Sequence, residues 1–164
     1  MAFIGLMSDS HGLADEHVFT FFKDVDQIWH AGDIGNLVTY DRLSVFKPLR
    51  AVYGNIDDNP TRCVTAHSLR FTEEEMDVFI THIGGYPGKY DKKVKPMLLS
   101  NPPGLFICGH SHILRIMYDK RFNFLYINPG ASGNQGFHKV KTLVRFKLEK
   151  NRVKDLEISE VPRV

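Results

Sequence analysis

Five short blocks of the chain carry residue types that bind metal ions: Asp9-Ser10-His11, Gly32-Asp33, Gly54-Asn55, Thr81-His82 and Gly109-His110-Ser111-His112. Together Asp9, His11, Asp33, Asn55, His82, His110 and His112 offer four imidazoles, two carboxylates and one amide. Carboxylate oxygens are hard donors and imidazole nitrogens borderline ones. That mixture suits manganese, iron, zinc, nickel or cobalt better than calcium or magnesium alone. A single carboxylate such as Asp33 can bridge two ions about 3.5–4 Å apart, the spacing of two-metal hydrolytic sites. His110 and His112 are one residue apart, so on an extended segment they point the same way. Glycines precede Asp33, Asn55 and His110, where they let the backbone turn tightly and keep bulk from the ions.

Elements that end where these blocks begin must position them. Ala2–Ser8 is a short apolar run that breaks at Asp9, as a buried strand does. Leu13–Val25 lines up Leu13, His17, Phe21 and Asp24 with Val18, Phe22 and Val25 beside them, which predicts an amphipathic helix. Gln27–His30 reads as a second strand, Leu37–Phe46 as a helix stopped by Pro48, and Arg50–Tyr53 as a third strand. This rhythm predicts a largely parallel α/β sheet, in which ligands bind beyond the carboxyl ends of the strands. The second half reads differently. Ser68–Thr72 and Asp77–Thr81 flank an acidic turn, and Lys92–Asn101 reads as a short helix with Pro96 in its first turn. Leu105–Cys108 is a strand, while Ile113–Tyr118 with Phe124–Ile127 and Thr142–Glu149 with Val153–Ser159 read as antiparallel hairpins.

With Asp9-Ser10-His11-Gly12, His30-Ala31-Gly32-Asp33, Gly54-Asn55-Ile56-Asp57, Thr81-His82 and Gly109-His110-Ser111-His112 in this order, the chain resembles the calcineurin-like metallophosphoesterases. The nearer likeness is to their small bacterial and archaeal phosphodiesterase branch, and it extends to Asn128-Pro129-Gly130. The resemblance implies a four-layer αββα sandwich of two mixed β-sheets flanked by helices. It also implies a binuclear centre, with Asp9, His11, Asp33 and His112 on one ion and Asp33, Asn55, His82 and His110 on the other. The implied chemistry is phosphodiester hydrolysis by a hydroxide shared between the ions, with Asp33, Asn55 and His82 as the residues that carry catalysis. Manganese is the first expectation for the two divalent ions, with nickel, iron, cobalt or zinc as alternatives. One position departs from the larger relatives. Where they carry a histidine after Gly-Asn, thought to protonate the leaving oxygen, this chain has Ile56. General acid catalysis contributes typically about 10²–10⁴-fold, so its loss favours substrates with good leaving groups. Asp57 is expected to buttress the turn.

The remaining features narrow the field. The chain has 164 residues, a formal net charge of +2 and 43% hydrophobic residues, which together read as a single domain, 1–164, with a full core. That charge is too mild to predict nucleic-acid binding, though it would admit a small phosphorylated substrate. Cys63 and Cys108 are too few for a disulfide framework and fit a reducing, cytoplasmic compartment. No apolar run reaches the roughly 20 residues of a membrane span, and the start lacks the features of a signal peptide. Oligomeric state is left open, with a homo-oligomer as one option. His17, His30, His67 and His138 are expected in structural or surface roles, with His30 a candidate partner to the Gly32-Asp33 turn. Lys92 and Lys93 read most simply as solvated residues, with a substrate-phosphate role as the alternative, and Gly84–Gly88 as part of the pocket wall. The competing function is a non-catalytic protein-binding scaffold of the same fold, which would have been free to lose ligand residues.

Overall fold

The computed structural model describes residues 1–163. Among these residues the first elements are β1 (Ala2–Met7), α1 (Glu16–Phe21), β2 (Gln27–His30), α2 (Leu37–Phe46), β3 (Leu49–Ala51) and α3 (Asn59–Val64). Then come β4 (Ser68–Glu73), β5 (Met76–Thr81), β6 (Gly85–Tyr86), β7 (Lys89–Tyr90) and α4 (Lys95–Ser100). The chain continues through β8 (Leu105–Ile107), β9 (Leu114–Asp119), β10 (Phe124–Pro129), β11 (Val140–Glu149) and β12 (Arg152–Pro162).

Two five-stranded sheets hold most of these strands. The first runs β12-β11-β1-β2-β3 and the second β4-β5-β8-β10-β9. Each contains a parallel trio, β1-β2-β3 at one end of the first and β5-β8-β10 in the middle of the second, with antiparallel strands added beside it. Alternation along each strand sorts the apolar residues. Ile4, Leu6, Trp29, Val78, Ile80, Ile107 and Val144 meet between the sheets. Met7 and Ile28 face outward onto Val18, Phe22 and Leu43 of the α1–α2 side. Tyr90, Val94 and Leu98 cover Phe106, Phe124 and Tyr126 on the outer face of the second sheet. The layers are therefore αββα, as the resemblance implied.

The differences from sequence have local causes. The helix expected over Leu13–Val25 shrinks to Glu16–Phe21, because Asp15 caps it by accepting from Val18 N (3.3 Å) and the residues before it close the Asp9-to-Leu13 turn. The helix expected over Lys92–Asn101 covers only Lys95–Ser100, although Pro96 does occupy its first turn. α3 was missed, though its signal was present: Asp58 caps it and Pro60 sits in its first turn. The hairpin-rich half also contains the parallel trio β5-β8-β10. Those pairings form across long intervening segments, so local patterning does not announce them.

Candidate metal centre

The two parallel trios point their carboxyl ends at one rim. Asp9 and His11 follow β1, Asp33 follows β2 and Asn55 follows β3; His82 follows β5, and His110 and His112 follow β8. The backbone there is contorted. Asp9 (φ 54°), His11 (47°), Asp33 (55°), His110 (70°) and His112 (62°) all adopt the left-handed region. Asp and His tolerate that region better than most side chains, yet each such residue costs on the order of 1–2 kcal/mol. Five costly conformations at one rim mark a site whose geometry is held by its surroundings. Asp57 supplies much of that hold: its carboxylate accepts from the amides of Ile34 (3.1 Å), Gly35 (2.8 Å) and Gly54 (2.8 Å), lashing the β2 and β3 turns together. Gly32 (φ 102°) is needed for a second reason, since a Cβ there would stand 2.7 Å from Cγ of His82.

The seven residues fall into two groups. Asp9, His11 and His112 place donor atoms within 4.8 Å of one another, and so do Asp33, His82 and His110. Oδ2 of Asp33 lies 3.4 Å from His11 Nε2 and 3.3 Å from His82 Nε2, so one oxygen borders both groups. Asn55 joins the second group, with Oδ1 3.1 Å from His82 Nε2 and 3.1 Å from His110 Nδ1. In the first, Oδ1 of Asp9 lies 3.2 Å from His112 Nε2 and 3.9 Å from His11 Nε2.

All of these separations except the 3.9 Å between Asp9 and His11 fit shared cations. Donors bound about 2.0–2.2 Å from one ion stand about 2.9–3.6 Å apart at octahedral or tetrahedral angles. The buried Oδ1 of Asp9 and Nε2 of His11 have no hydrogen-bond partner, a state that normally costs stability unless a ligand uses the atom. Other contacts aim the imidazoles. His82 Nδ1 lies 2.7 Å from the Ala31 carbonyl, so it carries the hydrogen and leaves Nε2 as a lone-pair donor. His138 Nε2 likewise donates to the Gly133 carbonyl (2.7 Å), so its Nδ1 accepts from His112 Nδ1 (3.1 Å) and His112 Nε2 is free to bind. His138 was expected in a structural or surface role; nothing near it in sequence announces His112 as its partner. His30 is buried and bridges two turns, with Nδ1 accepting from Gly32 N (3.1 Å) and Nε2 2.8 Å from Ser10 Oγ.

Electrostatics make the centre hungry for positive charge. Asp9 and Asp33 are buried. The Asp33 carboxylate, 3.4 Å from Nε2, raises the His11 pKa against the effect of burial. Burial also works against a charged His82, yet Asp33 and Asp9 outweigh it and raise that pKa too. For Asp33, burial opposes ionisation, but contacts with His11 and His82 prevail and hold its carboxyl well below the usual range. His30 goes the other way, pushed down to about 4 by burial.

Comparison with known proteins places this geometry among relatives. The family model for the calcineurin-like phosphoesterase superfamily domain matches residues 2–151. A probable metallophosphoesterase of Methanothermobacter thermautotrophicus is 30% identical over 135 residues, covering 78% of this chain and 76% of the relative. Among solved structures, an archaeal phosphodiesterase is similar with a TM-score of 0.76 at 22% identity, over 97% of this chain and 99% of that one. Vps29 of Entamoeba histolytica, solved with zinc, reaches a TM-score of 0.72 at 14% identity, over 99% of both chains. At those identities the structural likenesses speak for the fold alone.

Proposed function

The chain belongs to the calcineurin-like phosphoesterase superfamily, and on that premise we propose that it hydrolyses phosphodiesters at a centre of two divalent ions. Asp9, His11, Asp33 and His112 would hold one ion, and Asp33, Asn55, His82 and His110 the other. The observation that carries this reading is the single Asp33 oxygen within 3.4 Å of His11 and 3.3 Å of His82. Bound ions would supply Lewis acidity toward the phosphoryl oxygens and a water acidified to near neutrality. Manganese is our first candidate for both.

The chain's own groups do the rest. Asn55 turns Oδ1 toward His82 and His110, which leaves its amide hydrogens to meet charge developing on a phosphoryl oxygen. Asp33 is anchored through Oδ1, which accepts from Ile56 N (3.1 Å), so Oδ2 stays in place between the two groups. Ile56, 46% exposed beside Asn55, has no proton to give. Alkoxides would therefore leave poorly and aryl oxides well. Cys63 and Cys108 as free thiols suit a reducing compartment such as the cytoplasm.

A protein-binding scaffold is the second reading. It draws on the exposed Ile56, Ile83, Ile113 and Phe137, three of which directly follow Asn55, His82 and His112. One experiment separates the two: metal-stripped protein is assayed on aryl and alkyl phosphodiesters and on aryl monoesters, with manganese, nickel, cobalt, zinc or magnesium restored. Expected are metal-dependent turnover, aryl diesters cleaved fastest, and a loss of 10²-fold or more in Asp33→Ala. No turnover with any metal would leave the scaffold standing.

A further inference from the structure

On the His82 side of the centre a cavity of about 510 Å³ opens between α3, the β4–β5 edge of the second sheet and α4, with Asn55 and His82 in its wall. The short helix α4 forms one side of it. Six residues long, that helix spends Leu98, with the neighbouring Val94, on the cluster over Phe106 and Phe124. Phe79, nearer the sheet edge, is left half-buried. With Met97 it gives the cavity an apolar surface. Another part is planar and cationic: the Arg62 guanidinium lies 4.7 Å from the Tyr53 ring centroid. Arg62 is pinned there, Nε donating to Asp57 O (2.7 Å) and Nη2 reaching the carbonyls of Gly54 and Asn55 (3.4 Å each). The loop that presents Asn55 is thus tied to the cavity wall.

We propose that this cavity seats the organic group of the substrate, a flat aryl or heteroaromatic ring joined to phosphorus through an ester oxygen, while the phosphoryl group occupies the metal centre. The inference deepens the phosphoesterase reading and rests on it. The volume falls within the range of small-molecule sites. Aromatic, thioether and guanidinium surfaces all favour the face or edge of a π-system. A second phosphate is a poorer occupant. Most of the donors of Arg62 are already taken by carbonyls, and Lys93 shares the lining with Asp91.

The test compares phenylphosphonate with methylphosphonate, which carry the same phosphonate group and differ in the ring. Inhibition of diester hydrolysis by the manganese-loaded protein should be about tenfold tighter for the phenyl compound, the discrimination an apolar pocket can supply. Met97→Trp, which fills the cavity, should remove that preference and leave methylphosphonate inhibition unchanged. Ser68→Phe, at an exposed position of the edge strand, is the second variant should the first fold poorly. Equal inhibition by both compounds in the wild type, or a preference surviving in a folded variant, would overturn the proposal. Amide shifts give a readout free of catalysis: phenylphosphonate should move the Lys93 and Val94 resonances in wild type and not in the filled variant. If no metal confers turnover, the phosphoesterase reading fails, and these shifts alone judge the cavity; unmoved resonances reject it.

Discussion

His138 shows how one residue distant from the motifs can aim a candidate ligand. Through Gly133 O, His138 and His112, an unbroken pair of hydrogen bonds sets which nitrogen of His112 faces Asp9. Partners of this kind are typically worth 10–100-fold in metal affinity. His138→Ala is therefore expected to weaken manganese binding by about that factor, measured by titration calorimetry. His138→Gln, which can still accept at one end and donate at the other, should lose less. Equal affinity in wild type and His138→Ala would show that His112 is aimed by something else. The motif histidines and carboxylates were legible because their types are rare together at strand ends. His138 was not, because its role depends on a loop closing 26 residues along the chain.

At the scale of elements, the hairpin turns expose a local conflict. The β4–β5 turn has Glu74 at φ 49° and Glu75 at φ 68°, and the β11–β12 turn has Lys150 at φ 49° and Asn151 at φ 62°. Two consecutive positive φ values define the tight hairpin turn that favours Asn-Gly. Asn151 suits its place. Glu75 is exposed and does not. Glu75→Gly should relieve the left-handed strain and give back part of it in unfolded-state entropy, a net gain of about 0.5–1 kcal/mol in chemical denaturation. No gain would mean that the turn accepts glutamate without strain. The strands themselves were legible from alternation, and the hairpin at Ser68–Thr81 was found from its acidic turn. The start of α1 was not, because the Asp15 cap overrode an amphipathic pattern that began at Leu13.

For the whole molecule, metal and proton would compete for the same imidazoles at the proposed centre. His11 and His82 have raised pKa values, so in the metal-free protein their contribution to stability is fully present below the unfolded value near 6.5. It is lost as pH rises through the folded values. Metal binding needs the neutral rings and runs the opposite way, releasing protons. Manganese at about 100 times its dissociation constant stabilises by about 2.7 kcal/mol, or roughly 5–10 °C in a chain of this size. Because protonation of His11 and His82 weakens the affinity, the same total manganese should raise Tm less at pH 6 than at pH 8, followed by thermal melts. An equal shift at both values would place the metal away from these histidines.

The candidate donor types, their order and their attachment to strand ends are written in the sequence, because a buried strand must be apolar and its polar end must announce itself. The αββα layering followed from resemblance in those same blocks. Tertiary structure alone decided three things. It brought the ends of β1, β2 and β3 against those of β5 and β8, so that one Asp33 oxygen borders both donor groups. It set His138 behind His112. It also left a cavity beside Phe79 and Met97, a consequence of packing between segments that no local pattern encodes. The seven donors could be read one by one; their distances could not, because a distance belongs to the fold.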